Sequence, residues 1–281
     1  MNRDNPQFRV VLLTSNDFFG CAILNHLAIE YSWLDVVAIS RPQALDLRVK
    51  PPGALHDYVT FNGRFFAETY CPKLDARGDY AGPYRTFEDR VKENGIREFE
   101  SSLVKQESFH ELLLSLDVDL VLSCHFPVIV GGPVLKLQPE LYFNIHPGLL
   151  PEYRGILCPF WAAKNGDRLG VTVHRMTAEI DEGPVCGAVT SKPIQGISLF
   201  EQHLELYLNG IDCFARLLAV HQSAKAIPSV SQDKSRANYF GYPCREDMEA
   251  FPSQIEIFSK FRFFELLRRS FDLVPSKLSP L

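Results

Sequence analysis

The chemistry this sequence could perform rests on three polar residues. In the apolar run 141–146, alternate residues share one face of a strand. Tyr142, Asn144 and His146 therefore point one way, and Leu141, Phe143 and Ile145 the other. Pro147 and Gly148 stop the strand and leave an amide and an imidazole together at its C-terminal end, where open parallel α/β sheets bind ligands. A carbonyl attacked by an amine needs a donor for the oxygen as it becomes an oxyanion, and a neutral amide or a protonated imidazole can serve. It also needs a group that takes a proton from the attacking nitrogen and returns one to the leaving nitrogen. Asp181, in the loop 177–183, is a candidate to orient and tune the imidazole. Spacing alone does not bring it to His146.

Taken singly, each residue has an ordinary reading: His146 as a hydrogen-bonded structural histidine, Asn144 as a turn cap, Asp181 as a turn residue. His174, in the run 169–176, is expected to pack against the site or support the 177–183 loop. His125 reads equally as a ligand contact and as a structural residue. Cys124 and Cys158 lie near the site without an evident base partner, which argues against a Cys–His nucleophile. The sequence holds no G-x-S-x-G, G-x-G-x-x-G, Walker loop or H-E-x-x-H.

The elements that would position these residues alternate in type. Buried strands are expected at 9–14, 34–40, 118–124 and 141–146, with a helix from Asp17 to about Tyr31 capped by Asn16 or Asp17. Strand, helix and strand with short joints imply a parallel βαβ unit. Further helices are expected at 84–94, 106–116 and 159–165, and paired strands at 169–176 and 184–191. A long helix is expected over 198–221, with Ser198 and Glu201 forming a capping box. From 41 to 83 the pattern dissolves among prolines, glycines and aromatics, which reads as an ordered insertion whose rings pack on the main domain. The tail ends in an amphipathic helix expected over 253–271, with packing or a dimer contact favoured over membrane binding. The division expected is a catalytic domain over 1–223, including the insertion, and an extension over 224–281.

Composition narrows the class. The 281 residues are 46% hydrophobic and 22% charged, enough for a substantial core without disulfides or metal. A net charge of -5 argues against a protein built to grip phosphate backbones. The seven cysteines are widely spaced with no C-x-x-C pair, so neither a disulfide framework nor a metal site is expected. The first apolar run is too short for a signal-peptide core, and the longest apolar region is broken by His, Gly and Pro. A cytoplasmic protein with no membrane segment is expected.

One block carries more than composition. Asn144-x-His146 followed by Pro147-Gly148-Leu149-Leu150-Pro151 and Tyr153-Arg154-Gly155, then Asn165-Gly166, then Gly170-Val171-Thr172-x-His174, then Asp181-x-Gly183-Pro184, resembles the 10-formyltetrahydrofolate-dependent formyltransferases. These include glycinamide ribonucleotide, methionyl-tRNA and sugar N-formyltransferases and the related deformylase. The resemblance is strong over 118–189 and weaker over 9–40. It implies a Rossmann-like α/β fold, a mostly parallel sheet flanked by helices. By resemblance, Asn144, His146 and Asp181 are the catalytic trio. The segment Ser123, Cys124, His125, Phe126, Pro127 and Val128 lines the pterin pocket of the 10-formyltetrahydrofolate donor. Thr177, Ala178, Glu179, Ile180 and Gly183 belong to the folate-binding loop. Asn16, Arg154 and Gly155 fall to the acceptor, and Leu149, Leu150 and Pro151 with Arg154 and Gly155 match the turn that shapes the site behind the histidine.

Two departures bear on the acceptor. The first loop, TSNDFFG, lacks the glycine-rich cradle for an acceptor phosphate, and the 41–83 insertion is long. The resemblance thus implies formyl transfer to a small-molecule amine, an amino-sugar nucleotide favoured, by a protein that could be a homodimer. The alternatives are a deformylase using water, a methionyl-tRNA formyltransferase-like enzyme, and a folate-binding protein without activity. The tail shows no basic barrel, which disfavours tRNA.

Overall fold

The computed structural model describes residues 8–43, 51–77, 81–192 and 196–271. Strand β1 (Phe8–Leu13) runs through helix α1 (Phe18–Glu30) to β2 (Leu34–Ser40). Helix α2 (Ala54–Thr60), a π-helical stretch (Phe61–Tyr70) and α3 (Cys71–Arg77) then follow one another without a break. Next come α4 (Phe87–Asn94), β3 (Arg97–Glu98), α5 (Ser108–Ser115), β4 (Leu120–Cys124), α6 (Gly132–Leu137) and β5 (Tyr142–His146). The two-residue β6 (Arg154–Gly155), α7 (Cys158–Asn165), β7 (Leu169–Arg175), β8 (Val185–Ser191) and α8 (Leu199–His221) follow. The tail supplies β9 (Tyr239–Phe240), α9 (Arg245–Glu249) and α10 (Lys260–Phe271).

The seven-stranded sheet has the order β3-β2-β1-β4-β5-β7-β8. The first five strands are mutually parallel, and β7 and β8 add antiparallel pairs. From β1 the chain builds outward to β2 and β3, then returns to place β4 and β5 on the other side. The order therefore reverses between β1 and β4, and a crevice opens beyond their C-terminal ends. Both faces of the sheet are buried. Val10 and Leu12 join the cluster beneath α1 and α8, while Val11, Leu13 and Tyr142 join the one beneath α5 and α6. Asn144 and His146 continue the Tyr142 face at the end of β5.

Helix α8 lies directly on the sheet. A β-carbon at Gly210 would come 2.4 Å from Cγ2 of Ile145 and 2.7 Å from Cγ2 of Val171, so the helix backbone rests on the two strands that carry the site. The Ser198–Glu201 capping box forms as expected.

Two expectations need correction. The described part of the 41–83 segment is largely helical rather than irregular; 44–50 and 78–80 lie outside the described residues. Pro51, Pro52 and Gly53 punctuate the chain before α2, not within it. Pro72, which has no N–H to give, follows the wide π turns. The rings do pack inward, with Phe66 5.3 Å from Phe18 and Phe61 5.6 Å from Phe263 between centroids. The final helix starts at Lys260, not at 253, because the preceding segment is used otherwise. The carbonyls of Glu256 and Ile257 accept from the N–H groups of Leu199 and Phe200 at the start of α8, at 2.7 and 3.1 Å. Phe263, Leu267 and Phe271 of α10 join the main core.

Gly210→Ala is expected to force α8 off the sheet, costing about 1–3 kcal/mol as overpacking does. A lowered urea midpoint would show it, and an unchanged midpoint would mean that α8 tolerates displacement.

Candidate functional site

At the crevice, a cleft of about 440 Å³ is lined from the turn after β1, α1, α2, β4, β5, β7 and α8, the 177–181 loop and the tail. The register of β5 against β7 sets its polar centre. Asn144 pairs with His174 and His146 with Thr172, and partners across antiparallel strands point to the same face. His174 Nδ1–H donates to the Arg175 carbonyl at 2.9 Å, which leaves Nε2 bare. Asn144 Nδ2 donates to it at 3.1 Å. Asn144 thereby has one N–H fixed and the other free for the cleft. Thr172 holds the turn after His146: its hydroxyl donates to the Gly148 carbonyl at 2.7 Å and accepts from the Leu150 N–H at 3.1 Å.

His146 is 4% exposed, with Nε2 2.7 Å from the Tyr153 carbonyl, to which it donates. Its Nδ1 faces Asp181 Oδ1 at 3.5 Å, beyond ordinary hydrogen-bond length. The same oxygen lies 3.8 Å from His174 Nε2, and the Gly155 N–H donates to Asp181 Oδ2 at 3.1 Å. The loop is locked to hold this carboxylate. Asp181 has φ +57°, a left-handed backbone that most side chains avoid, and a β-carbon at Gly183 would sit 1.7 Å from the Arg175 carbonyl oxygen. Gln232 donates to the carbonyls of Asp181 and Gly183 at 2.8 and 2.7 Å. Buried Arg154 donates to Glu182 at 2.8 Å and to Gln232 at 3.1 Å.

The two imidazoles separate in charge. Burial is the largest single influence and works against a charged His146, but the Asp181 carboxylate, the Cys158 contact and the Tyr153 carbonyl together outweigh it and raise His146 to about 10. Burial pushes His174 down to about 4; Asp181 opposes the shift and the charge on His146 reinforces it. At neutral pH an imidazolium and a neutral imidazole therefore flank one carboxylate.

The residues expected from sequence fall into two groups. Ser123, His125, Phe126, Pro127, Val128, Thr177, Ala178, Glu179, Ile180 and Gly155 line the cleft with the trio. Cys124, Gly183, Arg154 and Asn16 do not: Cys124 is fully buried on the opposite face of β4, Gly183 is pressed onto Arg175, and Arg154 braces the loop. Asn16 accepts from Arg41 at 3.0 Å, while its neighbours Ser15 and Asp17 reach the cleft; the cap of α1 is Asp17. The expectation that Cys158 lacks an imidazole neighbour is also corrected. Its Sγ lies 3.4 Å from His146 Nε2, because the turn after β5 folds α7 back under the ring. The thiol is 1% exposed and does not line the cleft, so it supports the ring. Sequence reasoning missed Tyr58 and Asn62, His203 and Tyr207 of α8, and Tyr239 and Tyr242 of the tail. Only the aromatic content of the first and last of these segments signalled them. Among the described residues, no cluster of His, Cys, Asp and Glu could hold a metal ion, and no helix is long and apolar enough to cross a membrane.

A raised folded-state pKa stabilises below the unfolded value and loses that contribution as pH rises through the folded one. For His146 the window runs from about 6.5 to about 10. The thermal-stability gap between wild type and Asp181→Asn should be widest near pH 6 and shrink as pH approaches 10. A gap independent of pH would contradict the imidazolium assignment.

Residues 77–194 match the family model described as Formyl transferase. Over 162 residues the chain is 30% identical to the methionyl-tRNA formyltransferase of Thermotoga neapolitana, covering 56% of this chain and 50% of the relative. Over 89 residues it is 34% identical to the GDP-perosamine N-formyltransferase of Brucella melitensis, covering 31% of this chain and 34% of the relative. The chain thus spans about half the length of the first and a third of the second. In fold it is similar to the N-formyltransferase of Helicobacter canadensis solved with folinic acid and dTDP-3-aminofucose, with a TM-score of 0.52, 15% identity, and coverage of 85% of this chain and 71% of that one. The chain is thus similar to formyltransferases in fold and, over residues 77–194, in sequence.

Proposed function

We propose that this protein transfers a formyl group to a primary amine of a small-molecule acceptor, with Asn144, His146 and Asp181 as the catalytic residues. The observation that carries the reading is the Asp181 carboxylate 3.5 Å from His146 Nδ1, beside an Asn144 amide with one N–H free. 10-Formyltetrahydrofolate supplies the formyl group as co-substrate. Phe126, Val128 and Met176 offer apolar walls for a planar heterocycle, and the backbone groups of 123–128 and 177–181 offer donors and acceptors along its edge.

Because Nε2 of His146 is committed to the Tyr153 carbonyl, Nδ1 is the working nitrogen. Nδ1–H and the free N–H of Asn144 donate to the carbonyl oxygen as it gains negative charge. Nδ1 gives a proton to the leaving nitrogen, and the His146–Asp181 pair recovers one from the nitrogen that has attacked, so the step is proton-neutral. His174 stays neutral and holds Asn144 in orientation. The tail, read as an extension over 224–281, adds the outer wall: Tyr239 and Tyr242, 62% and 41% exposed, stand at the rim as faces for a nucleobase. Together with relatives named for GDP-perosamine and solved with dTDP-3-aminofucose, this favours an amino-sugar nucleotide as acceptor.

The test is tetrahydrofolate release from 10-formyltetrahydrofolate with GDP-perosamine, dTDP-3-aminofucose, glycinamide ribonucleotide or methionyl initiator tRNA. Release dependent on an amino-sugar nucleotide is expected, and release without any amine would make the protein a hydrolase. Asp181→Asn and His146→Ala should each cut turnover by about 100-fold or more while folinic acid still binds. Near-normal turnover in either variant would remove that residue from the mechanism.

A further inference from the structure

A second polar cluster occupies the β1 and β4 side of the same cleft. Asp17 is 1% exposed, and its Oδ1 accepts from the Gly20 N–H at 2.9 Å as the cap of α1. Its other oxygen lies 2.7 Å from His125 Nε2. A carboxylate can only accept, so Nε2 carries the proton and Nδ1 of a neutral His125 is an acceptor. Tyr207 OH lies 3.0 Å from Nδ1 and donates to it. The result is a directed chain, Tyr207 to His125 to Asp17. His125 has φ +59°, a left-handed backbone that a glycine would occupy without strain. The imidazole is nonetheless there, with both nitrogens engaged.

Beside it, His203 stacks on Tyr207 with centroids 5.0 Å apart and takes the Tyr58 hydroxyl at Nδ1. Its Nε2 and the Ser15 hydroxyl, in residues 5% and 2% exposed, have no hydrogen-bond partner among the described residues, and both residues line the cleft. The start of α1 is closed to a phosphate: Asp17 takes the Gly20 N–H, Asn62 takes the Phe19 N–H at 3.1 Å, and the Asp17 carboxylate repels anions. What remains suits a cationic or hydroxylated group.

We propose that Asp17, His125 and Tyr207 form the base that deprotonates the acceptor's ammonium, separately from the His146–Asp181 pair. The inference rests on the formyl-transfer reading above. An alkyl amine reaches the site largely as an ammonium at neutral pH, and only its neutral form can attack a carbonyl. His146 already carries a proton, so it cannot accept this one. The ammonium gives its proton to the Tyr207 oxygen as the Tyr207 hydroxyl proton moves to His125 Nδ1. The His125 imidazolium so formed is paired with Asp17, and its side chain, 24% exposed, passes the proton to solvent. Ser15 and His203 Nε2 bind hydroxyl groups of the same acceptor.

Asp17→Asn keeps a capping oxygen but removes the charge; Tyr207→Phe keeps the ring but removes the hydroxyl. Each is assayed with the amino sugar that wild type formylates and with the same sugar bearing an aminooxy group, which is neutral at pH 7. Both variants should lower kcat/KM for the amine by about 100-fold, as loss of a general base does. They should leave transfer to the aminooxy acceptor and folinic acid binding close to wild type. Equal losses on both acceptors, or no loss on either, would overturn the proposal and leave formyl transfer standing. A wild-type protein that releases tetrahydrofolate with no amine at all would sink both readings together.

Discussion

One carboxylate shared between two imidazoles governs this site. Asp181 faces His146 Nδ1 at 3.5 Å and His174 Nε2 at 3.8 Å, deep enough that water screens neither. It does not hold both rings as cations: burial keeps His174 neutral, and the charge on His146 reinforces this. The nearer ring, whose Nε2 donates to a carbonyl, takes the charge. The other stays neutral, and its bare nitrogen aligns the Asn144 amide. From one anion the protein thus obtains a charged donor and an oriented neutral donor side by side.

Much of the surrounding structure keeps that anion in place. Asp181 occupies a left-handed backbone, and the chain can pass there only because Gly183 lies flat against Arg175 and Gly155 offers its N–H. Gln232, from the tail, holds the loop through two carbonyls, and Arg154 holds Gln232 and Glu182. The tail also pairs β9 with β6. Gly155 has φ +97°, and a β-carbon there would stand 2.2 Å from the Phe240 carbonyl oxygen. The extension is therefore part of the frame around the histidine as well as the outer wall of the cleft.

The sheet makes the two polar clusters neighbours. β4 and β5 are adjacent and parallel, so their ends deliver His125 and His146 to one crevice, and α8 crosses beneath with His203 and Tyr207. The aromatic packing of α1, the π stretch, α8 and α10 closes the far side: Phe18, Phe66, Phe200 and Phe263 meet with centroids 5.3–6.3 Å apart. That packing supports α1, whose cap is Asp17.

The sequence by itself determined the long strands of the main sheet and the positions of the helices α1, α4, α5, α7 and α8, because apolar runs and capping residues act locally, whereas the short pair β6 and β9 left no local pattern. It also determined that Asn144 and His146 share a face, because strand alternation is a property of the backbone, and the motif order pointed to Asp181 as their partner. Tertiary structure decided what depends on register and on long-range closure. His174 meets Asn144 only because β5 and β7 pair antiparallel at that register, and Cys158 meets His146 only because the turn folds back. Tyr207, Tyr58 and Tyr242 reach the cleft from segments whose local patterns record nothing but amphipathicity and aromatic content. The start of α10 was misplaced for the same reason: the carbonyls of 256 and 257 serve a helix more than fifty positions earlier, and periodicity carries no trace of a bond to so distant a partner.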